Sequence, residues 1–132
     1  MKSLRIAKTR HRELVSTRTG ERFSRSAVLS ELLGITSMFV HHDVIPPGRR
    51  ASGRHFHTER DELVVVLAGE IHYERNGRTA RAKSGEVVAF PRGPAGVHAI
   101  ENRGRRSARV LVIANPAERD VVVHEERVAR RR

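Results

Sequence analysis

The stretch His55-Phe56-His57-Thr58-Glu59-Arg60-Asp61-Glu62-Leu63-Val64-Val65-Val66-Leu67-Ala68-Gly69 decides how the chain is read. In an extended segment successive side chains alternate between faces, so His55 and His57 point the same way. Two imidazoles two residues apart on a strand can close on one ion without distorting the backbone. Four polar, turn-like residues follow, and an apolar run then opens on a carboxylate, Glu62. Along that run Glu62, Val64 and Val66 share one face and Leu63, Val65 and Leu67 the other, until Gly69 ends it. A charge at the head of an otherwise apolar strand needs a reason, and a shared cation supplies one. The His-x-His pair alone is weak evidence in a chain with eight histidines, because pairs at this spacing arise by chance.

Further on, Gly85-Glu86-Val87-Val88-Ala89-Phe90-Pro91-Arg92-Gly93 leads through Pro94-Ala95-Gly96 to Val97-His98-Ala99-Ile100-Glu101-Asn102, so a third histidine opens another short apolar stretch. Together these segments resemble the cupin superfamily, whose motifs are G-x5-H-x-H-x3/4-E-x6-G and G-x5-P-x-G-x2-H-x3-N. Gly48, His55, His57, Glu62 and Gly69 fall on the first motif; Gly85, Pro91, Gly93, His98 and Asn102 fall on the second. Six residues rather than five precede His55, and four rather than two precede His98; both differences lie in loops. The fifteen residues between Gly69 and Gly85 match the short connection of small bacterial single-domain cupins. The resemblance covers about residues 35–115.

The resemblance implies that His55, His57, Glu62 and His98 hold one divalent ion near a mouth of the barrel. Three neutral imidazoles and a carboxylate suit Mn, Fe, Ni, Co, Zn or Cu, and with no cysteine in the chain no thiolate selects a soft metal. Glu59 competes with Glu62 for the carboxylate position. Glu62 is preferred because it begins the apolar strand and six residues separate it from Gly69, whereas Glu59 sits in mid-turn. The function expected by resemblance is a metal-dependent enzyme on a small polar or sugar-like molecule: a dioxygenase or other oxygenase if the ion is iron, otherwise an isomerase or epimerase. The alternative is a non-catalytic module that binds or senses a small ligand, since one scaffold hosts many chemistries. Small members of the family commonly pair sheets, so a homodimer is expected, with the long apolar strand Ile35 to Ile45 as the feature that favours it.

Composition bounds the rest. At 132 residues the chain is long enough for one domain that needs no staples, and it lacks cysteine for any disulfide. The start Met1-Lys2-Ser3-Leu4-Arg5-Ile6-Ala7-Lys8 has no apolar core of a signal peptide, and no 18-residue apolar run occurs, so a soluble, cytoplasmic protein without a membrane partner is expected. Net charge is +11 but sits at the ends: residues 1–25 carry +6, residues 127–132 add four, and residues 26–126 are nearly neutral. Basic ends suit nucleic acid or anionic lipid. None of the five aromatics (Phe23, Phe39, Phe56, Tyr73, Phe90) is interleaved with them to stack on bases, so solvated tails are favoured over a nucleic-acid partner.

In chain order the expected organisation is a basic arm over 1–34, a barrel over 35–124 and a basic tail over 125–132. Leu14 to Thr17 reads as a short edge strand. Ser26 is placed to cap a helix from Ala27 to Leu33, with Gly34 just past its end. Pro46-Pro47-Gly48 reads as a turn, and Asn76-Gly77 as a two-residue hairpin turn between Glu70–Arg75 and Arg78–Ala82. Glu86 to Phe90 is a strand; Val97 to Glu101 and Ser107 to Ala114 are expected to pair; Val121 to Val123 is the last strand. His41 and His42 point to opposite faces and are read as structural or interfacial, and His72 and His124 as surface residues. Arg54 and Arg92 flank the motifs and are within reach of an anionic ligand, though surface positions are the plainer reading. Nine or ten short strands between Gly, Pro and Asn turns argue for an all-β sandwich or barrel. With the resemblance this becomes a double-stranded β-helix, or jelly roll, with a short helix near the N-terminus.

Overall fold

The computed structural model describes residues 3–126. Among these, eleven strands form two antiparallel sheets. The strands are β1 (Arg12–Val15), β2 (Arg22–Val28), β3 (Phe39–Ile45), β4 (His55–His57), β5 (Glu62–Ala68), β6 (Glu70–Arg75), β7 (Arg78–Lys83), β8 (Val87–Phe90), β9 (His98–Glu101), β10 (Ala108–Ala114) and β11 (Val122–His124). One sheet runs β1-β2-β3-β10-β5-β8 and the other β11-β4-β9-β6-β7, so the chain repeatedly crosses from sheet to sheet, as a jelly roll requires.

Alternation decides which side chains face inward. From the six-stranded sheet come Ile45, Val64, Val66, Val88, Phe90, Ala108, Val110 and Val112, and from the five-stranded sheet Ile71, Ala82 and Ile100; together they form one buried core between the layers. The turns follow their chemistry. The Arg49 N–H donates to the Pro46 carbonyl at 3.2 Å around a Gly48 with φ 81°. Asn76 and Gly77 both have positive φ, 50° and 83°, and set Arg75 opposite Arg78 in the β6–β7 hairpin.

Three local expectations are corrected. The helix α1 spans only Leu29–Leu32, and Ser26 is no cap but a residue of β2, opposite Asp43 of β3. Pairing with β3 satisfies the backbone of residues 25–28, and this tertiary gain overrides a weak capping preference. The C-terminal end is as expected: Gly34 (φ 72°) donates to Glu31 O at 3.1 Å and Ile35 N–H to Ser30 O at 2.8 Å, the paired bonds of a left-handed helix stop. The strand expected from Ile35 starts at Phe39, leaving Ile35 and Met38 exposed. β3 is flanked by β2 and β10, so its backbone offers no free edge to a second copy. Finally, β9 and β10 do not pair with each other; β9 pairs with β4 and β6, β10 with β3 and β5, and residues 102–107 carry the chain between layers.

The basic segment before residue 35 contributes β1 and β2 to the six-stranded sheet. Its acids tie it down: Glu13 pairs with Arg22 and Arg49, and Glu21 with Arg50. The basic run Arg127 to Arg132 lies outside the described residues. No helix among the described residues is long and apolar enough to cross a membrane.

Core burial sets a test of this layer arrangement. Ile71→Ala, at a fully buried position, is expected to cost about 2–5 kcal/mol. Val87→Ala, more than half exposed, should stay within about 0.5–1 kcal/mol. Urea unfolding of the two variants checks the contrast.

Candidate metal centre

The two sheets bring the predicted residues together at one end of the barrel. His55 and His57 point inward from β4, while Phe56 between them points outward and is covered across the pair with Val123 of β11. His98, first residue of β9, stands directly across from His55 in the sheet register. Glu62, first residue of β5, reaches across from the opposite sheet, because the turn over residues 58–61 has carried the chain from one layer to the other. Ligand-type atoms of His55, Glu62 and His98 lie within 4.8 Å of one another. His57 Nε2 is 2.7 Å from Glu62 Oε1 and His98 Nε2 is 3.8 Å from it.

Each ring is turned by a bond on its other nitrogen. Nδ1 of His55 donates to Gly53 O at 2.7 Å, Nδ1 of His98 to Gly96 O at 2.8 Å, and Nδ1 of His57 to Asp120 Oδ2 at 2.7 Å. With the Nδ1 proton so engaged, the neutral ring carries its lone pair on Nε2, as ligating histidines do. His98 is further fixed by Phe90, whose ring stacks on it with centroids 3.9 Å apart and planes 10° apart. Desolvation holds His55 down at about 4, with His98 adding to the effect, and desolvation also lowers His98, so both are neutral near pH 7. At His57 burial works against the proton, but Glu62 and Asp120 outweigh it and raise the group. Burial alone would raise Glu62, but the close approach of His57 prevails and lowers it.

Glu62 Oε1 is shut off from solvent and no donor among the described residues is aligned on it. The 2.7 Å contact with His57 is short but lacks hydrogen-bond alignment. A buried carboxylate oxygen left in this way is costly unless a cation meets it. His55, Glu62 and His98 together form a donor set of the kind a divalent first-row ion takes, so this triad fits such an ion.

The surrounding cavity has a volume of about 180 Å³. Val64, Ile100, Val110, Val112 and Ala114 give it apolar walls, and Phe39, His41, Asp43 and Arg60 also line it, the first three beside β10 on the same sheet. His41 therefore faces the cavity, which corrects its reading as structural or interfacial; its Nδ1 is 2.8 Å from Asp43 Oδ1. Burial opposes protonation of His41, yet Asp43 outweighs it and the group is raised. His42 points to the other face, buried, with Nδ1 2.7 Å from His11 Nε2.

The flanking arginines do not face the site. Arg54 binds Glu74 with Nε 3.1 Å from both carboxylate oxygens, and Arg92 binds Asp61 at 2.9 Å. Glu59 is exposed, 3.9 Å from Arg92, and away from the cluster. Sequence reasoning missed Asp120, Asp43 and Arg60. Asp43 was legible as the second residue after His41 on one strand face; nothing in the spacing marks Asp120, which reaches His57 only because β11 pairs with β4.

Two antiparallel sheets wrapped around an inward histidine–carboxylate cluster define a jelly-roll barrel of the kind that binds small ligands. The sequence matches the cupin domain family over residues 41–114, and the chain belongs to that family. Among curated proteins it is 30% identical over 93 residues to the tetracenomycin polyketide synthase protein TcmJ of Streptomyces glaucescens, covering 70% of this chain and only 60% of that relative's length. A solved structure of a candidate sugar phosphate isomerase from Acidithiobacillus ferrooxidans superposes with a TM-score of 0.80 at 27% identity, covering 90% of this chain and 76% of the other. A cupin-superfamily sugar phosphate isomerase from Silicibacter pomeroyi gives 0.82 at 23% identity, covering 96% and 83%, a likeness of fold.

The loop that orients His98 can be tested directly. A methyl group on Gly96 would lie 1.6 Å from the Pro91 carbonyl oxygen. Gly96→Ala must therefore open the turn before β9, at a cost of about 3 kcal/mol or more. The His98 Nδ1 proton, protected by its bond to Gly96 O, should disappear from the imidazole region of the proton NMR spectrum.

Proposed function

We propose that the protein is a metal-dependent enzyme of the isomerase or epimerase type acting on a small polar, oxygen-rich substrate. The observation that carries this reading is the placement of the His41–Asp43 pair in the same small cavity as His55, His57, Glu62 and His98. These last four residues would hold the ion, which when bound supplies Lewis acidity toward a substrate oxygen. Mn, Fe, Ni, Co, Zn and Cu all suit that donor set.

The chain's own residues supply the rest. Asp43 accepts from Nδ1 of His41, so the lone pair for proton transfer sits on Nε2, and no described residue hydrogen-bonds that nitrogen. His41 is thus placed to take a proton from carbon or oxygen of a bound substrate and return it, the step an isomerase or epimerase needs. Glu62, committed to the ion, is not the free base. The apolar walls exclude bulk water and strengthen every charge interaction within. The likeness to a candidate sugar phosphate isomerase supports the same class of chemistry.

A homodimer is proposed as the working assembly. The outward face of the six-stranded sheet exposes Leu63, Leu67 and Val87 beside one another's strands, β5 and β8. Light scattering should give about twice the 14.9 kDa chain mass; a monomer mass rejects it.

Purified protein is expected to carry one first-row metal per chain by elemental analysis. His55→Ala, His57→Ala, His98→Ala and Glu62→Gln should each lose most of it, and His72→Ala and His124→Ala should not. Asp120→Ala, which frees His57 Nδ1, should weaken metal affinity about 10–100-fold. His41→Asn should retain the metal and lose exchange of substrate hydrogen with deuterated solvent. Iron together with oxygen consumption would instead identify an oxygenase, and tight binding without turnover a sensing module.

A further inference from the structure

One arginine lining the cavity has no carboxylate partner among the described residues. Arg60, in the turn between His57 and Glu62, lines the same space as the histidine–glutamate cluster. Its guanidinium carbon lies 4.4 Å from the centroid of the Phe39 ring, so the planar group rests on an aromatic face that fixes its attitude. Its backbone N–H is held by Asp120 Oδ1 at 3.2 Å, which anchors the turn from which the side chain departs. Yet Nε of Arg60 is shielded from solvent and donates to nothing among the described residues. The contrast with its neighbours is informative: Arg49, Arg50, Arg54 and Arg92 each have a carboxylate partner.

We propose that Arg60 is the anion-binding group of this cavity and that the substrate is a small carboxylic acid held through its carboxylate. This rests on the proposed function and narrows its substrate class. A guanidinium offers a planar fork that matches a carboxylate bond for bond. A phosphate dianion carries more charge than one arginine answers, and the cavity lining already contains Glu62 and Asp43. Size points the same way. A cavity of about 180 Å³ is small for a ligand site. That admits a hydroxy or oxo acid of a few carbons. Held by Arg60 at one end, such an acid presents its α-oxygen and α-carbon to the metal ligands and to His41.

Isothermal titration calorimetry on the full chain as purified, with metal content measured on every sample, tests this. The probes are lactate, pyruvate, lactamide and inorganic phosphate. In the wild type, lactate and pyruvate should bind roughly tenfold or more tightly than lactamide, which lacks the charge. Arg60→Met should remove that margin, weakening the two acids about tenfold or more while leaving lactamide and metal content unchanged. Arg60→Lys should recover part of it, and Phe39→Leu should weaken the acids a few-fold by freeing the guanidinium. Equal binding of acids by wild type and Arg60→Met overturns the proposal. So do tighter binding of phosphate than of either acid, binding of lactamide equal to lactate, loss of metal along with acid binding in Arg60→Met, or no binding of either acid at about 10 mM. If Arg60→Met does not fold, the lactate–lactamide comparison in the wild type and the Arg60→Lys variant decide. Arg60-dependent acid binding by a wild type that carries no metal would uphold this inference and reject the metal centre instead.

Discussion

A carboxylate oxygen shut inside an apolar barrel is the constraint on which the structure turns. Glu62 opens β5 and projects between the two sheets, where Val64, Val110 and Val112 leave it no water. Burying such a charge costs several kcal/mol unless something meets it. Three imidazole rings are brought toward it from the other sheet, leaving a place for a cation between them and the carboxylate, and that placement requires both layers to be in register at this end. The cross-sheet turn over residues 58–61, the pairing of His55 opposite His98 and the stacking of Phe90 on His98 all serve the one alignment.

The rings are held from behind by groups that cannot easily yield. Two of the acceptors, Gly53 O and Gly96 O, are backbone carbonyls in tight loops. A side chain at Gly96 has no room against the Pro91 carbonyl, so the loop's shape and the orientation of His98 are one property. The third acceptor, Asp120, is a side chain that also receives the Glu59 N–H at 2.8 Å and the Arg60 N–H at 3.2 Å. One carboxylate thus fixes a ligand ring and the turn that carries Arg60. The order of the rings thus comes from groups behind them, outside the cluster itself.

The fold and the cluster were legible for different reasons. The turns declared themselves through Gly, Pro and Asn, the strands through alternation, and the grouping of His55, Glu62 and His98 through a resemblance spanning both motifs. Glu62 was separable from Glu59 because only Glu62 heads an apolar strand. Local propensity misled at Ser26, where a good cap residue lies in a strand because β3 needs a partner. It misled again at β9 and β10, which look like a hairpin in sequence but belong to different layers. The side chains that complete the cavity were harder to see. Asp120 meets His57 across more than sixty positions, and Arg60 differs from Arg49, Arg50, Arg54 and Arg92 in having no carboxylate partner among the described residues, a fact only three dimensions can show.

The position of Asp120 has a temporal consequence. β4 and β5 emerge early in synthesis, but the strand that pairs with β4 and the carboxylate that orients His57 come more than sixty residues later. Until then His57 has no anchor, and the turn over residues 58–61 lacks the acceptor for two of its amides. A chain still being made therefore presents loose histidines rather than a formed cage. The ordered arrangement of these side chains thus belongs to the finished fold and not to the strand that carries two of the histidines.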